Sequence, residues 1–372
     1  MIELKPINEQ VVVLMGASSG IGRETALQFA RRGAKVVVSA RSEPGLRSLV
    51  EQIEREGGQA TAVPADVTQI EQVRSVAETA VRVYGRLDTW VHLAAVSLYA
   101  TFEQTTPEEF KQIIDVNLVG AAHGAMAALP HLRQTGQGAL ILISSVEALR
   151  SLPYQAAYAA SKHGVEGMAE TIRMELQHEG VPISVTNIMP ASINTPFFNK
   201  ARTKLGVKPK GVPPIYQPSV VANMILYAAE NPVRDLFAGD AGRVIGFLQA
   251  LSPRLTDLLL SGSAFSGQLT QEPKSVDAPN NLFGPIEGYN QIEGDFSEQA
   301  MSLSPYTSMQ TSGVRLALAG VAVGAVIAMA LRGRKNGADA VWYDDYEPAR
   351  RVATPSQYLN TPISQYPEKD TS

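Results

Sequence analysis

The chain of 372 residues has no cysteine. That absence excludes disulfides, thiolate nucleophiles and cysteine-ligated metal centres, so any chemistry must come from oxygen and nitrogen groups. The five histidines are dispersed, and no His/Asp/Glu group has metal-ligand spacing, so no metal site is expected. Runs of lysine and arginine of the kind that line a nucleic-acid face are missing, and the formal net charge is only −4. Small molecules or a membrane surface are therefore expected as partners, and nucleic acid is not. No internal repeat is present. The opening Met1-Ile2-Glu3-Leu4-Lys5-Pro6 lacks the basic, apolar and small-residue succession of a signal peptide, which leads us to expect a cytoplasmic catalytic region.

Short apolar runs alternate with helical patterns over the first 260 residues. Val11 to Met15 leads through a glycine turn into a helix at Ile21 to Arg32; Val36-Val37-Val38 is followed by a helix at Leu46 to Glu56, closed by Gly57-Gly58. Ala60 to Val63, Thr89 to Leu93, Ala139 to Ser144 and Ile183 to Ile188 read as further strands. Between them lie helices at Ile70 to Tyr84, Pro107 to Pro130 and Ala156 to His178, and a last one at Ser219 to Ala229. This order predicts an α/β fold: a doubly wound parallel sheet with helices on both faces, because each apolar strand needs cover on two sides. Residues 191 to 218, with Pro196, Pro209, Pro213 and Pro214 and with Lys200, Lys204, Lys208 and Lys210, read as a crossing loop or lid. Val244 to Leu260 adds apolar packing interrupted by Pro253, and the catalytic domain is expected to span residues 1 to 261.

Residues 262 to 312, rich in Ser, Gly, Gln, Asn and Pro, show too little apolar periodicity to offset the entropy of ordering them and read as a low-complexity linker. Within residues 313 to 335, Leu316 to Leu331 is an uncharged apolar block flanked by Arg315, Arg332, Arg334 and Lys335. As a helix it would be about 24 Å long, short of a hydrocarbon core of roughly 30 Å unless Val314 and arginine snorkelling extend it. It is a candidate membrane anchor over residues 314 to 331, with docking onto the core or another chain as the alternative; Gly320 and Gly324 have small-xxx-small spacing. Residues 336 to 372 read as a flexible polar tail.

Gly16, Gly20 and Gly22, with Ser18, Ser19 and Ile21 between them, suit a turn that brings backbone amides and a helix N-terminus against a pyrophosphate. The second strand ends in Ser39-Ala40-Arg41 where many dinucleotide sites carry an acid for the ribose hydroxyls. With no carboxylate to repel a 2′-phosphate and an arginine to pair with it, NADP(H) is favoured over NAD(H). Asp66 after the third strand either meets the adenine edge or caps a turn. Tyr158 and Lys162, one helical turn apart, and Ser145 thirteen residues earlier complete the pattern. A free phenol ionises near pH 10, and an ammonium group on the same helix face would favour the phenolate.

Together, Gly16-Ala17-Ser18-Ser19-Gly20-Ile21-Gly22, Asp66-Val67, Asp115-Val116-Asn117, Ser144-Ser145 and Tyr158-Ala159-Ala160-Ser161-Lys162 resemble the short-chain dehydrogenase/reductase family over residues 8 to 260. The resemblance implies a Rossmann-type fold in which Tyr158 is the acid or base, Ser145 orients the substrate oxygen and Lys162 holds the nicotinamide ribose. It implies that Asn117 supports a water-linked proton path to the lysine. It also implies cofactor contacts at Val67, Ala94, Pro190 and Thr195, and a homo-oligomer. Two departures stand out. His92-Leu93-Ala94-Ala95 replaces Asn-Asn-Ala-Gly, so His92 is expected to supply a structural hydrogen bond, and Pro190-Ala191 replaces Pro-Gly. Glu147 either borders the substrate or is an exposed helix-start residue. The expected activity is NADP(H)-dependent interconversion of a carbonyl and an alcohol on an apolar substrate. A non-redox NADP-binding scaffold and an epimerase or dehydratase are the alternatives.

Overall fold

A computed structural model of the chain describes residues 2–311; the expected anchor and tail lie outside the described residues. The central sheet is built from Val11–Met15 (β1), Lys35–Ser39 (β2), Gln59–Ala62 (β3), Thr89–His92 (β4), Gly138–Ile143 (β5), Ile183–Pro190 (β6) and Asp235–Ala238 (β7). They are all parallel, in the order β7-β6-β5-β4-β1-β2-β3. All five residues of β1 are buried, as a strand covered on both faces requires. The pleat divides them: Val11, Val13 and Met15 join one core and Val12 and Leu14 the other. The edge strand β3, Gln-Ala-Thr-Ala, is correspondingly polar and half exposed.

The helices are Gly20–Arg31 (α1), Glu43–Arg55 (α2), Ile70–Tyr84 (α3), Pro107–Ile114 (α4), Gly120–Thr135 (α5) and Ala156–His178 (α6), followed by a further apolar one at Pro218–Glu230. Helices α3, α5 and α6 cover one face, while α1, α2 and the 218–230 helix cover the other. Sequence signals set their ends. Ser42 accepts a hydrogen bond from Gly45 N–H at 3.3 Å to start α2, and Gly85, at φ 84°, ends α3. The stretch expected as one helix from Pro107 is interrupted by a π turn at Asp115–Val119, which carries Asn117. Composition alone would let the stretch 107–135 cross a membrane, but half of it is buried within the domain as core.

Three expectations are corrected. Strand β7 lies in a segment with no strand signal: four residues opened by an aspartate, held by pairing with β6. Val244 to Leu260 forms two helices, Asp240–Leu251 and Pro253–Ser261, and turns much of its apolar surface outward, with Phe247, Leu251 and Leu258 at least 65% exposed. Residues 262 to 311 are not a solvated linker. Leu269–Pro273 pairs antiparallel with Val207–Pro209, and Ala300–Met301 extends a small sheet through Ile215–Tyr216 to Ser192–Ile193. Leu282 is fully buried in the main core, and Phe296 packs on Phe198. The segment is ordered by strand pairing, by side-chain bonds to backbone and by isolated apolar anchors, so it has no periodicity for a sequence reading to detect.

Candidate active site

The strand order reverses direction between β1 and β4, which opens a crevice at their C-terminal ends. The glycine turn after β1 forms its floor. Gly16 has φ +94°, and a Cβ there would lie 2.7 Å from the Ala94 backbone nitrogen; at Gly22 a Cβ would lie 2.2 Å from the Gly16 carbonyl oxygen. Both positions need glycine. Ser18, Ser19, Gly20, Ile21, Gly22, Arg41, Val67, Ala94 and Thr195 line the same cleft with Gly16. Asp66 does not: its Oδ1 accepts from the Thr68 N–H at 2.9 Å and from the Thr68 hydroxyl at 2.8 Å, the turn-capping alternative.

Two groups of cleft residues escaped the sequence reading. Lys200 donates from Nζ to the Ser19 hydroxyl at 2.6 Å, and burial, with repulsion from Arg41, lowers its pKa to about 8. Its only signal was membership of a lysine-rich loop. The second group comes from residues 281–291, which border the Arg41 end of the cleft. Arg41 donates from Nη2 to the Asn281 carbonyl at 2.7 Å, the Gly20 N–H donates to the Gln291 carbonyl at 3.0 Å, and Pro285, Ile286 and Asn290 line the cleft. Arg41 Nη1 and Asn281 Oδ1 are buried with no hydrogen-bond partner among the described residues.

A second cleft adjoins the first, sharing Ile21, Leu93, Ala95, Ile143, Thr195 and Phe197, and is lined by Ser145, Tyr158, Lys162 and Pro190. Ser145 starts the short turn after β5, its Oγ accepting from the Glu147 N–H at 3.1 Å. Ser144 Oγ donates to the Lys162 carbonyl at 3.0 Å, fixing α6 to the end of β5. The Lys162 ammonium donates to the Ile143 carbonyl at 2.8 Å and sits 5.5 Å from the centre of the Tyr158 ring, which packs edge-on against Phe197. Asn117 is a brace. Its carboxamide accepts from Val96 N–H at 2.8 Å and donates to Val96 O and to Ser161 Oγ, at 3.0 and 3.1 Å. The side chain is therefore committed to holding the segment after β4 against α6.

The electrostatics differ from the sequence expectation. Burial raises the Tyr158 phenol above its usual value, Glu147 adds to the rise, and the Ser145 hydroxyl opposes it. Lys162 does not reverse this, because its own ammonium is desolvated, with a pKa lowered to about 8. His92 is also a correction. It is buried, neither ring nitrogen has a hydrogen-bond partner among the described residues, and burial followed by repulsion from Lys162 and His123 lowers its pKa to about 3. The imidazole is a neutral packing group whose Nδ1 would sit 2.5 Å from a Cβ added at Gly124. It does not replace an asparagine hydrogen bond.

The family profile for short chain dehydrogenases matches residues 10–206. The chain is 41% identical over 284 residues to the Uncharacterized oxidoreductase YxnA of Bacillus subtilis, covering 76% of this chain and 80% of that one. This protein belongs to the short-chain dehydrogenase/reductase family. As a family member it is an oxidoreductase with a nicotinamide cofactor and a small-molecule carbonyl or alcohol substrate. Solved short-chain dehydrogenases share its fold: one from Mycobacterium paratuberculosis bound to NAD (TM-score 0.55, 25% identity, 62% of this chain and 96% of that one) is an example. Another is a single-substitution variant of the actinorhodin polyketide ketoreductase with NADPH (TM-score 0.55, 26% identity, 63% and 97%). The match to YxnA is longer than the 197 residues from 10 to 206 spanned by the family profile.

Proposed function

We propose that this short-chain dehydrogenase/reductase is an NADP(H)-dependent carbonyl reductase in which Tyr158 transfers the proton and Ser145 and Lys162 position the reacting groups. The observation that carries the reading is the convergence of Ser145, Tyr158 and Lys162 on one cleft that continues into the glycine cradle. When bound, the nicotinamide supplies or accepts the hydride. The protein's part is proton handling and alignment. The Ser145 and Tyr158 hydroxyls flank the place where a substrate oxygen gains charge, and the raised phenol pKa keeps Tyr158 protonated at neutral pH, in the form that donates. Lys162, anchored on Ile143, holds positive charge beneath the ring.

Likeness to solved structures does not choose the cofactor, since one neighbour holds NAD and the other NADPH. The choice of NADP(H) rests on the adenosine end of the cleft. Among the described residues Arg41 Nη1 is a buried donor and Asn281 Oδ1 a buried acceptor with no partner, and Lys200 is a second cation that repels Arg41. A phosphorylated ribose would satisfy all three at once. Arg41→Ala is expected to raise the KM for NADPH by about tenfold or more while leaving that for NADH within about twofold; equal effects on the two would exclude the assignment. The Lys200 pKa adds a pH signature. A lysine depressed to about 8 is charged below that pH and neutral above it, and a bound 2′-phosphate raises it again. NADPH binding should therefore take up protons near pH 8 to 9 and weaken as pH rises, and Lys200→Met should flatten that slope in calorimetry performed in two buffers of different ionisation heat.

A further inference from the structure

The substrate cleft is not apolar throughout, and its polar end is built around a carboxyl group that the reduction of a simple ketone leaves without a task. Glu147 is only 5% exposed and lines the cleft with Ser145, Tyr158 and Lys162. Its Oε1 accepts a hydrogen bond from Gln155 Nε2 at 3.1 Å, whereas Oε2 is buried with no partner among the described residues. The amide donors beside it are already committed. Gln155 Nε2 also donates to Gln268 Oε1 at 2.8 Å, and Gln268 Nε2 donates to the carbonyls of Pro153 and Ala264, at 3.1 and 2.9 Å. Gln268 belongs to the segment beyond residue 261, so that segment helps to hold this end of the pocket.

The groups facing Glu147 are the Tyr99 and Tyr158 phenols and the Lys162 ammonium, and Lys210 lines the cleft wall. The Leu152 backbone N–H, the Lys162 ammonium and the Gln155 amide all favour the charged form. Burial outweighs them and lifts the carboxyl to about pH 8, so that at neutral pH it carries a proton. A buried O–H with no acceptor is costly. Resting on the reductase reading above, we infer that Glu147 is a substrate-binding residue whose carboxylic acid donates a hydrogen bond from Oε2 to a second oxygen of the substrate. The preferred substrate class is then a ketone carrying a nearby hydroxyl or carbonyl oxygen, with the corresponding diol or hydroxy-carbonyl compound as product. A site built to bond such an oxygen discriminates against the analogue lacking it, because the protein group is then left unpaired.

Cyclohexanone, 2-hydroxycyclohexanone and 2-aminocyclohexanone differ at one substituent and serve as probes with NADPH and the full chain. Wild type is expected to favour the hydroxyketone over the ketone in kcat/KM by about tenfold or more, for one hydrogen bond to a buried group. Glu147→Leu should bring that ratio near one, and Glu147→Gln, whose amide can still donate, should keep most of it. Equal loss on both substrates, or no preference in wild type, overturns the assignment. So does a preference for the aminoketone that disappears in Glu147→Gln, since it would mean that the group works as a charged counter-ion. Calorimetry of trans-cyclohexane-1,2-diol against cyclohexanol, with NADP⁺ present, needs no turnover. Tighter binding of the diol by wild type but not by Glu147→Leu supports the inference even if no ketone is reduced, the result that would sink the reductase reading instead. Indifference to the diol's second hydroxyl in an active enzyme sinks only this inference.

Discussion

Tyr158→Phe is expected to lower kcat for carbonyl reduction by about 10²- to 10⁴-fold, the usual worth of a positioned general acid, while the affinity for NADPH stays within about threefold of wild type. The contrast is what makes the measurement informative. The substitution removes one oxygen from a ring that keeps its edge-on packing against Phe197 at 5.9 Å, so the fold should be intact. Stopped-flow hydride transfer and fluorescence titration of NADPH, on the same preparation, read the two quantities. Near-normal turnover with normal cofactor binding would remove Tyr158 from the chemistry. The raised phenol pKa adds a direction in pH. Donation needs the protonated phenol, which persists through neutral pH, so reduction should hold its rate from pH 6 to about 8. Oxidation of the alcohol needs the phenolate and should rise with pH across the same range. Above pH 8, loss of the Lys162 proton, whose pKa lies near that value, should depress reduction.

Cutting the chain after Ser261 is expected to lower Tm by about 10–20 °C relative to a chain of residues 1–311, and to weaken cofactor binding by about tenfold or more. The deletion empties the seat of Leu282 in the main core, removes Phe296 from its packing against Phe198, and unpairs Val207–Pro209 and Ile215–Tyr216 from their partner strands. Burial of the two side chains alone contributes about 3–6 kcal/mol, and about 2–4 °C of Tm accompanies each kcal/mol in a domain of this size. Cofactor affinity falls with it because Asn281, Pro285, Ile286 and Asn290 form one wall of the cleft, and Gln291 ties down the glycine turn. Differential scanning calorimetry with and without NADPH tests both parts. A shortened protein that melts within about 2 °C of the longer one and binds NADPH equally would restore the boundary at residue 261.

The elements that the sequence made legible are those in which one side-chain period repeats long enough to be read. β1 came out residue for residue because five consecutive apolar side chains can be satisfied only between two covered faces. Helices α3 and α6 were read to their ends, with Gly85 terminating α3. Ser145, Tyr158 and Lys162 were legible for a related reason: two lie one turn apart on a single helix, and the third starts the turn that follows the preceding strand, so local spacing already brought them near. Lys200 and Gln268 had no such spacing. Their neighbours in the cleft are up to 181 residues away, as for Lys200 and Ser19, and only chain crossings bring them there.

The order of apolar runs and glycine turns therefore determined a doubly wound parallel sheet, because that follows from periodicity and short-range geometry, and the motif resemblance pointed to the family and its candidate groups. Tertiary structure alone decided protonation and enclosure. Burial, which no motif encodes, holds the Tyr158 phenol above its free pKa despite the nearby Lys162, keeps His92 neutral and leaves the Glu147 carboxyl protonated. The same long-range packing folds residues 262–311 over the cleft through single anchors such as Leu282. A lone buried leucine in a polar stretch carries no period; its importance comes from the cavity that other parts of the chain have already built to receive it.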